Sequence, residues 1–204
     1  MTSIITGDII NSRNIDSNIW IPLLKEVLNS VGKTTKTWEI YRGDSFQIEI
    51  EKIEDALLFA FKLKTVLKKV KNLDVRIAIG IGSKNDNYNN ITEASGEAFI
   101  NSGKAFDVLL KKQRLAIAST NQEFDTILNT SLALALLIMD NWTVNSATFV
   151  LKYLNSPNTS QKMIAKELNI SESSASERRK RAGLDEILQL EKLYRQLVKQ
   201  KFIN

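Results

Sequence analysis

Thr37-Trp-Glu-Ile-Tyr41-Arg-Gly-Asp-Ser-Phe46-Gln-Ile-Glu-Ile50 is the stretch on which the reading of the fold turns. Thr37 to Tyr41 alternates as a strand, and Arg42-Gly43-Asp44 supplies turn residues. Phe46, Ile48 and Ile50 then set every second side chain of a return strand on one face. Strands joined this tightly run antiparallel. The hairpin therefore argues against a doubly wound parallel domain, in which a helix separates successive strands.

Upstream of the hairpin, Ser3 to Thr6 reads as a short strand that stops at Gly7-Asp8. Asp16 or Ser17 caps a helix through Ile19, Leu23, Leu24, Val27 and Leu28, and Gly32 ends it. Downstream, a helix from about Ile53 to Val70 turns Ala56, Leu57, Ala60, Leu63, Leu67 and Val70 inward. Val75 to Ile81 is the most continuously apolar strand and is expected at the centre of the sheet, with Arg76 as its interior charge. Gly96 to Lys111 reads as a helix and Leu115 to Ala118 as a strand. The order β-α-β-β-α-β-α-β predicts a split βαβ arrangement, with helices covering one face of a mixed or antiparallel sheet.

The remainder is helical. Phe124 to Met139 is strongly apolar, as one helix or two short ones, and leads to Trp142. Phe149 to Leu154 belongs to a helix before Pro157. Gln161 to Ala182 reads as a helix, a short turn and a second helix. Ile164, Ala165 and Leu168 repeat at helical spacing, Asn169-Ile170 break the run, and Ser171 caps the second helix. That second helix buries Ala175, ends in Arg178-Arg-Lys-Arg181, and offers Ser173, Ser174, Glu177 and Arg178 on exposed faces. Two helices joined so closely, the second polar and basic, match the helix-turn-helix that enters the DNA major groove. Arg178 lies one turn beyond Ser174 and is placed to approach base edges. Arg179, Lys180 and Arg181 are assigned to flanking phosphates or solvent. A last amphipathic helix, Leu184 to Val198, carries Ile187, Leu190 and Tyr194 as a seam for intrachain packing or for a homodimer.

The fold class expected is thus α+β: a split βαβ sheet domain followed by an all-α helix-turn-helix domain. The division is a sheet domain at 1–120, a helical linker at 121–145 and a DNA-binding domain at 146–204. The net charge of +5 is uneven, with +4 lying from Ser160 onward, where a module touching the phosphates of double-stranded DNA needs it. Cysteine and histidine are absent, which excludes disulfides, thiol nucleophiles, histidine bases and ordinary structural zinc sites. Without a secretory signal or an apolar run of about 20 residues, a cytoplasmic protein with no membrane partner is expected.

Two aspartates end strands in this reading. Asp8 follows Thr6-Gly7, and Asp44 follows Gly43 at the hairpin tip. With the Ile9 carbonyl they form an oxygen donor set suited to Mg²⁺ or Mn²⁺ and a phosphorylated or nucleotide-like ligand. Arg13, Arg42, Arg76 and Lys104 are the cations available for phosphate oxygens. The plainer reading makes Gly-Asp a turn pair, Asp8 a cap for Ile9-Ile10, and Arg76 a partner of Glu49 or Asp74.

Ile5-Thr-Gly-Asp-Ile-Ile-Asn-Ser-Arg13, Tyr41-Arg-Gly-Asp-Ser-Phe-Gln47, Val75-Arg-Ile-Ala-Ile-Gly-Ile-Gly82 and Ala94-Ser-Gly-Glu-Ala-Phe99 together resemble the SatD family of bacterial proteins. The same segments resemble a reduced class III nucleotidyl cyclase domain and its diguanylate-cyclase relatives. That likeness implies Asp8 and Asp44 as metal ligands assisted by the Ile9 carbonyl, with Arg76 and Lys104 the candidates for a catalytic role. Ile100 stands where a cyclase usually has asparagine, with Asn101 adjacent. Lys104 lacks the guanidinium fork of the corresponding arginine. Gln161, Ile164, Ala165, Leu168, Ile170 and Ser171 resemble a phrase frequent in bacterial helix-turn-helix regulators. Together these features point to a DNA-binding regulator whose sheet domain binds a phosphorylated ligand with a metal. A Mg²⁺-dependent nucleotidyl-transfer or cyclase-like enzyme, and a protein-interaction scaffold, are the alternatives.

Overall fold

The computed structural model describes residues 1–203 apart from 33–34, 86–87 and 110–112. In chain order the elements are β1 (Thr2–Ile10), α1 (Ser17–Asn29), β2 (Trp38–Tyr41), β3 (Ser45–Ile50), α2 (Ala56–Lys68), β4 (Asp74–Gly82), α3 (Glu97–Leu109) and β5 (Leu115–Ala118). Then come α4 (Gln122–Met139), α5 (Val144–Asn155), α6 (Gln161–Glu167), α7 (Glu172–Arg181) and α8 (Leu184–Val198). The expected C-terminal end of the third helix, Lys111, lies outside the described residues.

The five strands form one sheet in the order β2-β3-β1-β4-β5. All neighbours are antiparallel except β4 and β5, which run parallel. The first four strands follow the split βαβ order, and β5 is added by a crossover through α3. This is the α+β class expected. The hairpin forms as read, and Arg42 and Gly43 make its turn with φ of 52° and 88°.

Three details depart from the expectation. Gly7-Asp8 does not end β1: the strand continues to Ile10, which pairs with Asp74 of β4. Gly7 is there because the ring of its cross-strand partner Phe46 lies over it, and a Cβ at Gly7 would sit 2.2 Å from the ring. The central strand is β1, with β4 beside it. Finally, helices cover both faces. Ile5, Ile9, Phe46, Ile48, Val75, Ile77, Ile79 and Ile81 pack with Trp20 and Leu24 of α1 and Leu57 and Leu63 of α2. On the other face Ala78 and Ala116 meet Ala105 and Leu109 of α3. Small residues on that side of β4 let α3 come close: a Cβ at Gly80 would lie 2.1 Å from the backbone of Ala98 and Ser102. Asn101, buried, donates its amide to the Ile81 carbonyl at 2.8 Å and fixes α3 along the strand.

α4 is a single 18-residue helix capped by Asn121 and packed on β5 and α8. The apolar core runs without a break from Ile5 to Val198. Tyr194 donates to the Ile53 carbonyl at 2.5 Å, Arg195 pairs with Asp55 at 2.7 Å, and Trp142 Nε1 donates to the Ala182 carbonyl at 2.9 Å. Ile187, Leu190 and Tyr194 are accordingly spent inside the chain, at 1%, 8% and 0% exposure, so they are no seam for a second subunit. The stripe is consumed by contacts of α8 with α4, α7, α2 and the turn at Ile53–Asp55.

Candidate functional site

A cleft of about 910 Å³ opens at the end of the sheet where β1 leaves its pairing with β3. The polypeptide from Asp8 to Asn14, Asp44 of the hairpin, Arg76 of β4, Arg114 before β5 and Asp140 after α4 all line it. Strand register explains the assembly. Asp8 lies opposite Ser45 on one side and Arg76 on the other, so cross-strand neighbours share a face of the pleat. The Ile9 amide donates to the Asp44 carbonyl at 3.0 Å, which holds the hairpin tip against β1.

Both carboxylates have partners. Asp8 forms a salt bridge with Arg76, the pairing the sequence had offered to Glu49 or Asp74 instead. Glu49 is taken by Lys84 at 2.8 Å and by the hydroxyls of Thr2 and Tyr88. Asp44 accepts from Ser12 Oγ at 2.6 Å. Arg76 Nε is buried with no hydrogen-bond partner among the described residues. Arg13 is exposed at the cleft margin. Arg42 and Lys104 are both exposed and neither lines the cleft: Arg42 sits in the hairpin turn and Lys104 on α3.

Behind the cleft lies a charged network that sequence reading missed. Lys64 of α2, fully buried, reaches Asp74 at 2.8 Å and Asp140 at 2.7 Å. Lys68 donates to the Asp140 carbonyl at 2.7 Å and lies 3.4 Å from Asp74. Arg114 binds Asp74 at 2.6 Å. Burial pushes the Asp74 carboxyl up, but Lys64, Lys68 and the Val75 amide outweigh it and hold the group below the usual carboxylate range. The available signal was Lys64 itself, four residues beyond Ala60 and so a charge on the apolar face of its helix.

α6 and α7 meet through a short turn in which Asn169 takes a φ of 51°. Ser160 and Ser171 cap the two helices, their hydroxyls accepting from the amides of Met163 and Ser174. α5 packs beside both helices, and Ile164, Ala165 and Ala175 are buried between them. Ser173, Ser174, Glu177, Lys180 and Arg181 are exposed. Arg178 is half-buried and, with Ser173, Ser174, Glu177 and Arg181, lines a groove of about 610 Å³ against the start of α5. Arg181 lies 3.4 Å from Glu177. Arg179 departs from its assignment to phosphate or solvent: it pairs with Asp185 at 2.5 Å and stacks 5.1 Å from the Tyr153 ring centre. It clamps α7 to α5 and α8.

Among the described residues no group of three or more Asp or Glu side chains converges as a metal cage. Asp8, Ile9 and Asp44 line the same cleft, with the Asp8 carboxylate held by Arg76 and that of Asp44 by Ser12. No helix among the described residues is long and apolar enough to cross a membrane. The SatD family model matches residues 3–198, and the chain belongs to the SatD family. No curated protein and no solved structure matches it.

Proposed function

We propose that the protein is a DNA-binding regulator whose sheet-end cleft takes a phosphorylated, nucleotide-like ligand. The observation that carries the reading is the state of α7. Its outward face bears three exposed polar side chains, Ser173, Ser174 and Glu177, followed by exposed Lys180 and Arg181. The same helix is anchored from behind by Ala175 and by the Arg179 clamp. A rigidly held helix with an exposed polar and basic face is what major-groove reading by a helix-turn-helix requires.

For the cleft, Arg13, Arg76 and Arg114 set three guanidinium groups around Asp8, Asp44 and Asp140. Guanidinium forks suit phosphate oxygens. Asp8, Asp44 and the Ile9 carbonyl would hold Mg²⁺ or Mn²⁺, which would supply positive charge toward the phosphates. Ligand binding is favoured over turnover, because Asp8 rests on Arg76 and Lys104 lies outside the cleft. The likeness to cyclases enters only as support for that placement of the metal.

The test of the DNA reading is titration of labelled duplex fragments at several salt concentrations. Binding that weakens steeply with salt, and weakens further in Arg178→Gln/Lys180→Gln, supports it. Equal, salt-insensitive retention by both proteins removes α7 as the reading element. The cleft is tested separately by calorimetry with Mg²⁺ and a panel of nucleoside triphosphates. Asp8→Asn or Asp44→Asn should abolish the heat seen with wild type, and unchanged heats in both variants defeat the site assignment.

A further inference from the structure

We infer that the solvent face of α4 is the seam through which two copies of this chain pair. Leu134 and Leu137 are 64% and 70% exposed, and Ile127 and Ile138 are 37% and 38% exposed, all on one helix. Ile127, Thr130, Leu134 and Leu137 follow one another at steps of three, four and three. That is the a/d spacing of a helix that packs along another helix. From Thr126 to Met139 the chain has no charged residue.

The polar groups on this face are already satisfied within the helix. Thr126, Thr130 and Ser131 each donate their hydroxyl to the carbonyl four residues back, at 2.8 Å. The Asn141 amide donates to the Leu137 carbonyl at 2.8 Å. What the threonines offer outward is mainly methyl. Such a face can be dried without leaving a donor unpaired.

A second copy fits this face better than a foreign partner because the face complements itself. Leu134 and Leu137 form a ridge. Beside it Ser131, Ala135, Ile138 and Leu193 line a groove of about 560 Å³ between α4 and α8, with Glu186 as the charged residue in the lining. A two-fold axis lays the ridge of each copy toward the groove of the other, the isologous arrangement of most dimers. With no charge between Thr126 and Met139, α4 meets its own image without like-charge repulsion. At 1.5 Å rise per residue the 18-residue helix is about 27 Å long, and flanked by α8 at about 10 Å it offers on the order of 500 Å² per copy. That reaches the roughly 1,000 Å² total at which an interface is credible. The inference stands on α4 alone, so failure of DNA binding leaves it untouched.

Sedimentation velocity of the full chain across a range of micromolar concentrations is the test. Wild type should run as a dimer, and Leu134→Lys/Leu137→Lys should raise the dissociation constant by at least about 100-fold. Its circular dichroism should not change, and its thermal midpoint should lose the dependence on protein concentration that dimer dissociation gives the wild type. The chain has no cysteine, so Thr130→Cys introduces one unique thiol. A short bis-maleimide should link Thr130→Cys into covalent dimers and leave Lys25→Cys on exposed α1 unlinked. Wild type that is monomeric throughout overturns the inference and leaves the face to another partner. A dimer that survives the double substitution, or one in which Thr130→Cys does not cross-link, overturns it by placing the seam elsewhere.

Discussion

Two clusters of basic residues in this chain meet opposite fates. Lys64, Lys68 and Arg114 converge behind the sheet-end cleft on Asp74 and Asp140, and Lys64 retains no solvent exposure. Arg178 to Arg181 follow one another on α7, and among these four only Arg179 is pinned by a partner off the helix. The first cluster is assembled from α2, β4, the approach to β5 and the end of α4, so its charges are structural joints between distant parts of the chain. The second is local and solvated, and its charges cost the fold little. A buried cation reports on folding, whereas an exposed run reports on partners.

The sharpest way to break that contrast is Lys64→Met. Removing the cation strands two carboxylates that it bridges, and the loss should be about 3–5 kcal/mol in urea denaturation. A loss below about 1 kcal/mol would mean that Lys68 and Arg114 already suffice and the joint is redundant. The same cluster sets an acid limit. Because the folded-state value of Asp74 is depressed, the unfolded chain takes up that proton first. The stabilisation is therefore complete above the ordinary carboxylate value of about 4 and is lost as pH falls through the lower folded-state value. Urea midpoints followed downward from neutral pH should decline there, and Asp74→Asn should decline less steeply while starting lower.

Tyr194→Phe probes the joint between α8 and the turn before α2. The hydroxyl donates to the Ile53 carbonyl at 2.5 Å in a fully buried setting, and burial pushes its pKa far up. Its removal loses one of two bonds to that carbonyl, which still accepts from the Ala56 amide, for about 0.5–1.5 kcal/mol. A denaturation curve unchanged from wild type would show that this hydrogen bond adds nothing to the joint.

The hairpin, the split βαβ order of the first four strands and the cap at Ser171 were legible because each rests on local chemistry. Gly43 and its neighbours make a turn, Ser171 accepts the amide three residues on, and alternation in Phe46, Ile48 and Ile50 fixes a face. Asp8, Asp44 and Arg76 could be brought to one edge from register alone. Arg114 and Asp140 could not, since Arg114 reaches the cleft through parallel pairing of β4 with β5 and Asp140 through the return of α4. α3 was placed on the wrong face because reading Val75 to Ile81 as one continuously apolar strand passes over Ala78 and Gly80, which with Gly82 make a surface flat enough for a helix. The Ile187, Leu190 and Tyr194 stripe was legible as apolar, but periodicity does not say whether the same chain or another covers it.

On α7 the contrast can be drawn within a single run of four residues. Arg179→Ala loses an ion pair whose Asp185 partner is largely exposed, together with the stack on Tyr153, so the cost should be about 1 kcal/mol or less. Lys180→Gln touches no partner off the helix and should change stability by less than about 0.5 kcal/mol. DNA binding should rank the two differently. If Lys180 meets a phosphate, its loss weakens all duplexes alike and lowers the salt slope by about one unit. Arg179→Ala has no phosphate contact to lose, so its slope should match wild type even where affinity drops through loosening of α7. Paired measurements of urea midpoint and salt slope on the two variants separate these effects. A slope change in Arg179→Ala with none in Lys180→Gln would reverse the assignment and make the clamp residue the one that faces the nucleic acid.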